Sequence, residues 1–381
     1  MKKLLVIHNS YRNVGGEDIA VNNELSLLDK HFEIKKLIFS NQIKSPYKQS
    51  FYFLINKNFE SSKKLQNIIN EFKPDYAYVH NTWFKASTNI FKILERNNIK
   101  TLVKLHNFRF DCTKSFLSSK HLNGDDRCGA CGFSKRGSGN FNKYYEDSYL
   151  KSLIVNRYGR KYFKILKNKD IKILTLTEFH REYLENLGFN KQKIFVHRNF
   201  IDADKKNFNY NSKSDYIVYA GRISEEKGVE DLIKSYLSLK DLTYKLKIVG
   251  NGPAYRYLKE KYMNIEFLGE VENESSKEII KNSRAVVTAT GLFEGQPTLL
   301  CEASTLGVPS VFPRNGGIGE FFETDYKLSF ESGNKDDLKS KLTLLNSSEI
   351  LNTISSTNYQ YLNNLLNEHD YISNFERILN E

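Results

Sequence analysis

The chain has 381 residues, more than the roughly 100–200 typical of one domain, and this length predicts two domains. Its 40% hydrophobic content excludes a disordered chain. The net charge of +12 is unevenly distributed, because residues 1–200 hold 36 basic and 18 acidic residues, whereas residues 201–381 hold 21 and 27. The basic first half is either a solvated surface or a contact for an anionic partner, such as a phospholipid layer, a pyrophosphate-linked acceptor or nucleic acid.

The N-terminus reads MKKLLVIHNSY, in which the apolar run Leu4–Ile7 ends at His8. A secretory signal needs about 7–15 apolar residues, and a membrane span needs about 18, a length that no stretch of the sequence approaches. The sequence therefore predicts a first β-strand and a cytoplasmic protein. Its four cysteines are expected to stay reduced in that compartment.

Short apolar runs alternate with amphipathic segments along the chain, which is typical of α/β folds with parallel sheets covered on both faces. The predicted strands of the first half are Leu4–His8, Phe32–Phe39, Tyr76–His80, Thr101–His106, Ile173–Thr177 and Ile194–His197. Those of the second half are Tyr216–Ala220, Lys245–Val249, Ile265–Leu268, Ala285–Ala289, Val308–Phe312 and Lys327–Phe330. The pattern predicts two Rossmann-like domains, at 1–204 and 215–365, joined by a polar linker at 205–214. Residues 366–381 are predicted to form a helix that returns to the first domain.

An insertion at residues 108–169 interrupts this alternation and contains a cluster of cysteines. Cys112, Cys128 and Cys131 have the spacing of a zinc knuckle, with His121 as a candidate fourth ligand. The thiols either bind a structural Zn²⁺ ion or remain free.

The aromatic and basic run from Tyr144 to Lys169 also has two interpretations. It is either a helix that lies on an anionic membrane or a core helix with a basic outer face.

The segment GRISEEKG, from Gly221 to Gly228, follows a predicted strand. Ligands of α/β sheets bind beyond the carboxyl ends of the strands. Arg222 and Lys227 lie at such an end, where they are suited to stabilise a departing nucleoside diphosphate. The alternative is an exposed loop with ordinary charges.

The segment EGQPTLLCE follows the predicted strand Ala285–Ala289 and begins a helix. The start of a helix presents free backbone N–H groups that bind phosphate. Glu294 is placed to accept hydrogen bonds from sugar hydroxyls and Glu302 from a ribose, although Glu302 is alternatively a solvated helix residue. The candidate phosphate cradle consists of Gln296, Pro297, Thr298 and Leu299.

In this order, the motifs of the chain resemble the retaining family 4 glycosyltransferases, which have the GT-B fold of two Rossmann-like domains facing across a cleft. The resemblance extends over nearly the whole chain. It is carried by HNSYRNVGGED near the N-terminus, VHNTW at 79–83, TLVKLHNFRFDC at 101–112, YAGRISEEKGV at 219–229, KIVGNGP at 247–253, EGQPTLLCEASTLGVPSV at 294–311 and NGGIGE at 315–320.

The resemblance implies further binding residues. Gly15 and Gly16 would let backbone N–H groups approach the donor phosphate, and His106 would face the donor sugar as a positioning group rather than a base. Gly250, Gly252 and Val271 would lie near the nucleobase. Family members have Phe-Gly where this chain has Gln296 and Pro297, which leaves the donor sugar open.

The resemblance also implies the reaction and its partners. It implies retaining transfer from a UDP- or GDP-sugar, with no cofactor and no metal ion at the phosphates. The acceptor would be a glycan, lipid-pyrophosphate-linked, in O-antigen or capsule synthesis. The protein would act at the inner face of the plasma membrane, with its basic half on the anionic surface and no nucleic acid as partner.

Two alternatives remain at the sequence level. A nucleotide-sugar epimerase of GT-B type would need acid and base carboxylates but no acceptor. A nucleic-acid or polyanion binder would use the basic first half, but the known nucleic-acid motifs are absent from the sequence.

Overall fold

The computed structural model describes residues 1–10, 15–41, 46–113, 142–201, 210–211 and 214–381. It divides into two units. The first comprises Met1–Phe200 and Glu368–Glu381, and the second comprises Ile201–Asn367. Most of the predicted linker, together with Cys128, Cys131 and His121, lies outside the described residues.

The first unit is built on a six-stranded parallel sheet of order β2-β1-β3-β4-β5-β6. Its strands are β1 (Lys3–Ser10), β2 (Glu33–Ser40), β3 (Tyr76–Val79), β4 (Lys100–Lys104), β5 (Ile171–Thr175) and β6 (Ile194–Val196). Its first helices are α1 (Gly16–Leu28), α2 (Pro46–Leu54), α3 (Phe59–Phe72), α4 (Ile90–Arg96), α5 (Tyr149–Asn168) and α6 (Glu178–Asn186). A short 3₁₀ turn spans Lys191–Lys193.

The second unit is built on another six-stranded sheet, of order β12-β11-β10-β7-β8-β9. Its strands are β7 (Tyr216–Ala220), β8 (Lys245–Val249), β9 (Glu266–Gly269), β10 (Val286–Val287), β11 (Ser310–Arg314) and β12 (Ser329–Glu331). Its helices are α7 (Val229–Leu237), α8 (Tyr255–Lys261), α9 (Asn273–Lys281), α10 (Thr298–Thr305), α11 (Lys335–Leu344) and α12 (Ser348–Leu365). Two 3₁₀ turns span Glu225–Lys227 and Ile318–Phe321.

Every described strand pairing is parallel, which confirms the prediction of two parallel α/β sheets. The central strands carry continuous apolar runs because helices cover both of their faces. The strand predicted at Ala285–Ala289 is shorter in the structure, where only Val286–Val287 pair. The helices α2 and α3 fill the interval between β2 and β3, for which the sequence analysis named no element.

The last helix, α13 (Glu368–Asn380), belongs to the first unit. Its apolar residues are spaced three or four apart and pack into the core with Leu4, Tyr78 and Leu102. Phe375 is fully buried, with its ring centroid 5.1 Å from that of Tyr78. The chain therefore returns to its N-terminal sheet after completing the second unit.

The helix α5 buries one face in the first unit. Tyr158 is fully buried and donates a hydrogen bond of 2.8 Å to the carbonyl oxygen of Thr82. Its ring centroid lies 4.5 Å from that of Trp83. The inner face of the aromatic and basic run is thus a core face, and its outer face is considered below.

Candidate functional site

The loops that follow β7 and β10 meet at an ion pair in the second unit. The ammonium group of Lys227 contacts the Glu294 carboxylate, and both side chains are about 30% exposed (29% and 28%). Arg222 lies on the β7 loop and is exposed. The ion pair therefore joins two residues, Lys227 and Glu294, that were proposed from two separate motifs of the sequence.

Strand register explains why the β7 and β8 loops touch. Ala220 pairs with Val249, so the next residues, Gly221 and Gly250, are neighbours at the carboxyl ends of their strands. Gly250 has a φ of +123°, and a Cβ atom there would overlap the Gly221 carbonyl group. The positive φ and this overlap each exclude a residue with a side chain at position 250. The backbone N–H of Gly250 donates to the carbonyl oxygen of Gly269 at 2.7 Å, which ties the end of β9 to the same edge.

The remaining nucleobase candidates lie beside these loops. Gly252 is held close to the β7 loop, because a Cβ atom there would overlap the backbone of Ile223. Val271 follows β9 and packs, partly buried, against the core of the second unit. Both residues are at the carboxyl edge of the sheet, and their contact with a nucleobase stays a prediction.

The loop that carries Glu294 is supported by residues to which the sequence analysis gave no role. The backbone N–H of Gly317 donates to the Glu294 carbonyl oxygen at 2.8 Å, and the side-chain amide of Asn315 donates to the Leu292 carbonyl oxygen at 2.8 Å. Gly316 has a φ of +61°, and a Cβ atom there would collide with the Glu294 backbone. The NGGIGE segment was visible in the sequence, but its contact with the Glu294 loop depends on the fold.

The helix α10 begins where the sequence analysis placed the phosphate cradle. Gln296 is buried, and Pro297 stands at the N-cap of the helix that starts at Thr298. The first N–H groups of a helix, here including that of Leu299, have no acceptor within the helix. Burial raises the pKa of Glu302, so this carboxyl group is not a fully solvated helix residue.

In the first unit, Gly15 and Gly16 stand at the start of α1. The backbone N–H of Gly15 donates to the Asp18 carboxylate at 3.0 Å, and the other oxygen of Asp18 lies 2.8 Å from Nε2 of His8. A Cβ atom on Gly16 would meet nothing within 4 Å. The α1 N-terminus is thus fixed to the end of β1, with open space over Gly16.

His106 follows β4 and is paired with a second histidine. Its Nε2 atom lies 2.9 Å from Nδ1 of His80, and the two rings are stacked with centroids 5.2 Å apart. Among the described residues, neither His106 Nδ1 nor His80 Nε2 has a hydrogen-bond partner. A small pocket adjoins the pair and is also lined by Glu17, Asn107 and Arg109. No site role was predicted for His80 from the sequence, although His80 follows β3 as His106 follows β4.

Burial keeps these histidines neutral. It lowers the pKa of His80 well below the usual value, and the nearby His106, His8 and Lys104 lower it further. The pKa of His106 is also lowered well below the usual value, first by burial and then by the charge of Lys104. Burial, followed by the charge of Lys104, also lowers the pKa of His197 well below the usual value. The pair therefore offers neutral imidazoles at physiological pH.

These shifts predict acid sensitivity of the first unit. Burial also lowers the pKa of His180, to about 3. Below about pH 6.5 the unfolded chain takes up a proton on each of these four histidines whereas the folded chain does not, so stability falls with pH. Each contributes a slope of about 1.4 kcal/mol per pH unit in that range. We expect urea unfolding, followed by the fluorescence of the single tryptophan, Trp83, to have a lower midpoint at pH 5.5 than at pH 7.

The control variant for this experiment replaces the exposed histidines His31 and His369 with glutamine. It should retain the full pH dependence, since neither side chain is buried. An equal midpoint at both pH values in the wild-type protein would contradict the prediction.

Only one of the three predicted metal ligands is described. Cys112 is buried beside the first unit's core. Among the described residues, no group of three or more His, Cys, Asp or Glu side chains has the geometry to hold a metal ion. The zinc site stays a prediction because Cys128 and Cys131 lie outside the described part of the chain.

A family model described as "Glycosyl transferases group 1" matches residues 200–360. The match covers most of the second unit, Ile201–Asn367. The matched residues include the Lys227–Glu294 pair and the start of α10.

Two curated relatives have names that describe glycosyltransferases. A colanic acid biosynthesis glycosyltransferase of Escherichia coli K12, WcaL, is 26% identical over 188 residues, which are 45% of this chain and 46% of the relative. A teichuronic acid biosynthesis glycosyltransferase of Bacillus subtilis, TuaC, is 33% identical over 105 residues, which are 28% and 26% of the two chains. The chain thus spans less than half the length of these two relatives.

The whole chain has the fold of solved structures. Anabaena Alr3699/HepE, solved in complex with UDP, matches with a TM-score of 0.68 at 15% identity and covers 100% of both chains. At this identity the match shows the fold alone, and it confirms the predicted GT-B fold with two Rossmann-like sheets.

None of the helices in the described ranges combines the length and the apolar composition that a membrane span requires.

Proposed function

We propose that the protein is a retaining glycosyltransferase that moves a sugar from a UDP- or GDP-sugar to a glycan acceptor. The observation that carries the proposal is the pairing of Lys227 with Glu294 beside the start of α10. A cation, free N–H groups and a carboxylate at one sheet edge suit a donor in which a pyrophosphate adjoins a sugar.

Each residue has a proposed role toward the donor. Arg222 and Lys227 bind the pyrophosphate, with help from the backbone N–H groups at Thr298 and Leu299. Glu294 accepts hydrogen bonds from the transferred sugar, and the buried Glu302 accepts them from the ribose.

The other candidates complete the proposed set of contacts. Gly250, Gly252 and Val271 contact the nucleobase, and Gln296 with Pro297 shape the space for the donor sugar. In the first unit, the neutral His106 positions the sugar. Gly16 presents its backbone N–H group to the phosphate, whereas that of Gly15 is donated to Asp18.

The proposed chemistry needs no protein nucleophile. The bond from the sugar C1 to the β-phosphate oxygen breaks, and the acceptor oxygen bonds to C1 on the same face. The acceptor proton passes to the leaving β-phosphate oxygen, so charge and atoms balance. Arg222, Lys227 and the α10 N-terminus stabilise the negative charge of the leaving group. We propose that no metal ion is required.

The proposed acceptor is a glycan carried on a lipid pyrophosphate, in the synthesis of a surface polysaccharide such as O-antigen or capsule. The names of the curated relatives in colanic acid and teichuronic acid synthesis support this class. We propose that the enzyme acts in the cytoplasm at the inner face of the plasma membrane.

The donor site is tested by thermal unfolding of the full chain with UDP, GDP and the corresponding monophosphates. A ligand at 100 times its Kd adds about 2.7 kcal/mol to stability. We expect one diphosphate to raise the Tm and its monophosphate to raise it less, since the cations bind the second phosphate. If no nucleotide raises the Tm, the proposal is wrong. Products formed from the preferred donor without acceptor would distinguish an epimerase from a transferase.

A further inference from the structure

Exposed apolar side chains are concentrated in one part of the first unit. Twelve large apolar side chains are exposed in the described residues, and seven of them come from two short segments. We call these segments together the α2–α5 surface. Its exposed apolar residues are Phe51, Leu54, Ile55, Phe59, Tyr149, Leu150 and Leu153.

The two segments are neighbours because they pack on one aromatic cluster. The ring centroid of Phe53, on α2, lies 5.1 Å from that of Tyr158, on α5, and 4.5 Å from that of Phe84. Tyr145, just before α5, packs on the other side of Phe84 with centroids 6.4 Å apart. The exposed residues of α2 and of the start of α5 therefore flank the same buried contact.

The outward face of α5 joins apolar and basic residues. Ser152, Val155, Tyr158, Tyr162 and Leu166 form the buried face. The exposed residues on the opposite side, spaced three or four apart, are Leu150, Leu153, Arg157, Lys161 and Lys164. The two leucines, Leu150 and Leu153, therefore precede a stripe of basic residues along the same face of α5.

The positive charge of this face is not balanced by carboxylates. The 20 residues of α5 include six basic residues and no acidic one. Lys151 pairs with Glu146 at 2.5 Å, but Arg157, Lys161 and Lys164 make no ion pair with any described carboxylate. Partial burial lowers the pKa of Lys161, and repulsion by the nearby Arg157 and Lys92 lowers it further.

We propose that the α2–α5 surface binds an anionic phospholipid bilayer, with its leucine and phenylalanine side chains inserted among the headgroups and the α5 cations on the lipid phosphates. Interfacial helices combine these two features, with the apolar face about 5–10 Å deep in the headgroup region. Nucleic acid would leave the exposed leucines unused, and a second copy would bring a like charge against the stripe. This surface rests on the proposed location at the membrane face, but its binding to vesicles requires neither donor nor acceptor. A failure of vesicle binding is therefore distinguishable from a failure of sugar transfer.

The test is co-sedimentation of the full-length protein with vesicles, without donor or acceptor. The vesicles are phosphatidylcholine alone and phosphatidylcholine mixed with phosphatidylglycerol. The protein should sediment with the mixed vesicles and remain in solution with the neutral ones. Added salt should weaken binding, because it screens the charge attraction.

Two variants separate the apolar and the electrostatic contributions. Leu150→Ser with Leu153→Ser should lower the partition coefficient on mixed vesicles about tenfold or more. A second variant removes three cations, each of which contributes about a fivefold factor near an anionic surface, so we expect a loss of about a hundredfold. Its substitutions are Arg157→Gln, Lys161→Gln and Lys164→Gln.

Matched controls make the same changes on the second unit. Leu237→Ser with Met263→Ser removes two side chains that are 45% and 87% exposed. The charge control consists of Lys240→Gln, Lys245→Gln and Lys259→Gln. Both should bind as the wild-type protein does, and unchanged Trp83 fluorescence verifies that the α5 variants are folded.

Several results would overturn the proposal. Equal binding to both kinds of vesicle, no binding, or equal losses in the α5 and control variants would each do so. If the wild-type protein instead forms a dimer that Leu150→Ser with Leu153→Ser dissociates, and does not sediment with vesicles, the face is a contact between copies. Retention by nucleic acid but not by mixed vesicles would also refute it.

Discussion

Replacing Lys227 with alanine is expected to lower kcat/KM for sugar transfer by about 10²–10³-fold, the usual effect of removing one group that stabilises developing charge. The ammonium group contacts Glu294 at the carboxyl edge of the second sheet, where the proposed leaving group carries its charge. The same variant should lose most of the Tm increase given by the preferred nucleoside diphosphate. Steady-state kinetics and thermal unfolding measure the two effects.

Glu294→Gln provides a contrast at the same ion pair. It should also lower kcat/KM strongly, because the carboxylate is proposed to hold the sugar, but it leaves Lys227 available for the pyrophosphate. Stabilisation by the diphosphate should therefore persist. The surface control is Lys335→Ala, which breaks an exposed ion pair with Asp231 in the same unit. Near-normal transfer by Lys227→Ala would refute the proposed role of Lys227.

The second large effect concerns the buried ion pair of the first unit. Lys104 and Glu24 are in contact, and both side chains are 0% exposed. The hydroxyl of Tyr78 donates to Glu24 at 3.1 Å, and Lys104 donates to the carbonyl oxygen of Arg198 at 3.1 Å. Lys104→Met leaves the Glu24 carboxylate buried without its cation. We expect the free energy of unfolding to fall by about 3–5 kcal/mol.

Urea unfolding followed by Trp83 fluorescence measures this loss, because the only tryptophan of the chain is buried in the same unit. The double variant Lys104→Met with Glu24→Leu should recover most of the stability, since no buried charge remains. Lys36→Met, which breaks the exposed pair with Asp29, should change the free energy by no more than about 1 kcal/mol. A loss of similar size in Lys36→Met and Lys104→Met would contradict the argument.

Two strands whose apolar runs are followed by glycine were predicted to the residue. The prediction for β7, Tyr216–Ala220, agrees with the structure to the residue, and so does that for β8, Lys245–Val249. Both runs are buried and are followed by Gly221 and Gly250, whose positive φ values end the strands. Strand ends are where ligands meet α/β sheets, so locating the ends also located Arg222 and Lys227.

The helical part of residues 108–169 was harder to predict. The aromatic and basic run allowed both a core helix and a membrane helix, because spacing alone does not say which face is covered. In the structure Tyr158 and Tyr162 point into the core, while Leu150 and Leu153 remain exposed. Only the packing of α5 on its neighbours, which include Trp83, Phe91 and Phe53, separates the two faces.

Local sequence by itself determined the two α/β sheets, the ends of β7 and β8, the loops with Arg222, Lys227 and Glu294, and the helix with Glu302. It could do so because period and glycine placement are properties of neighbouring residues. The tertiary structure alone decided which distant residues meet. Parallel register brings His80 beside Lys104, and the return of the last helix covers Tyr78 with Phe375. Such contacts join residues that are far apart in the chain, so no local pattern encodes them. Their free energy comes from burial, which exists only once the first sheet has formed and the last helix packs on it.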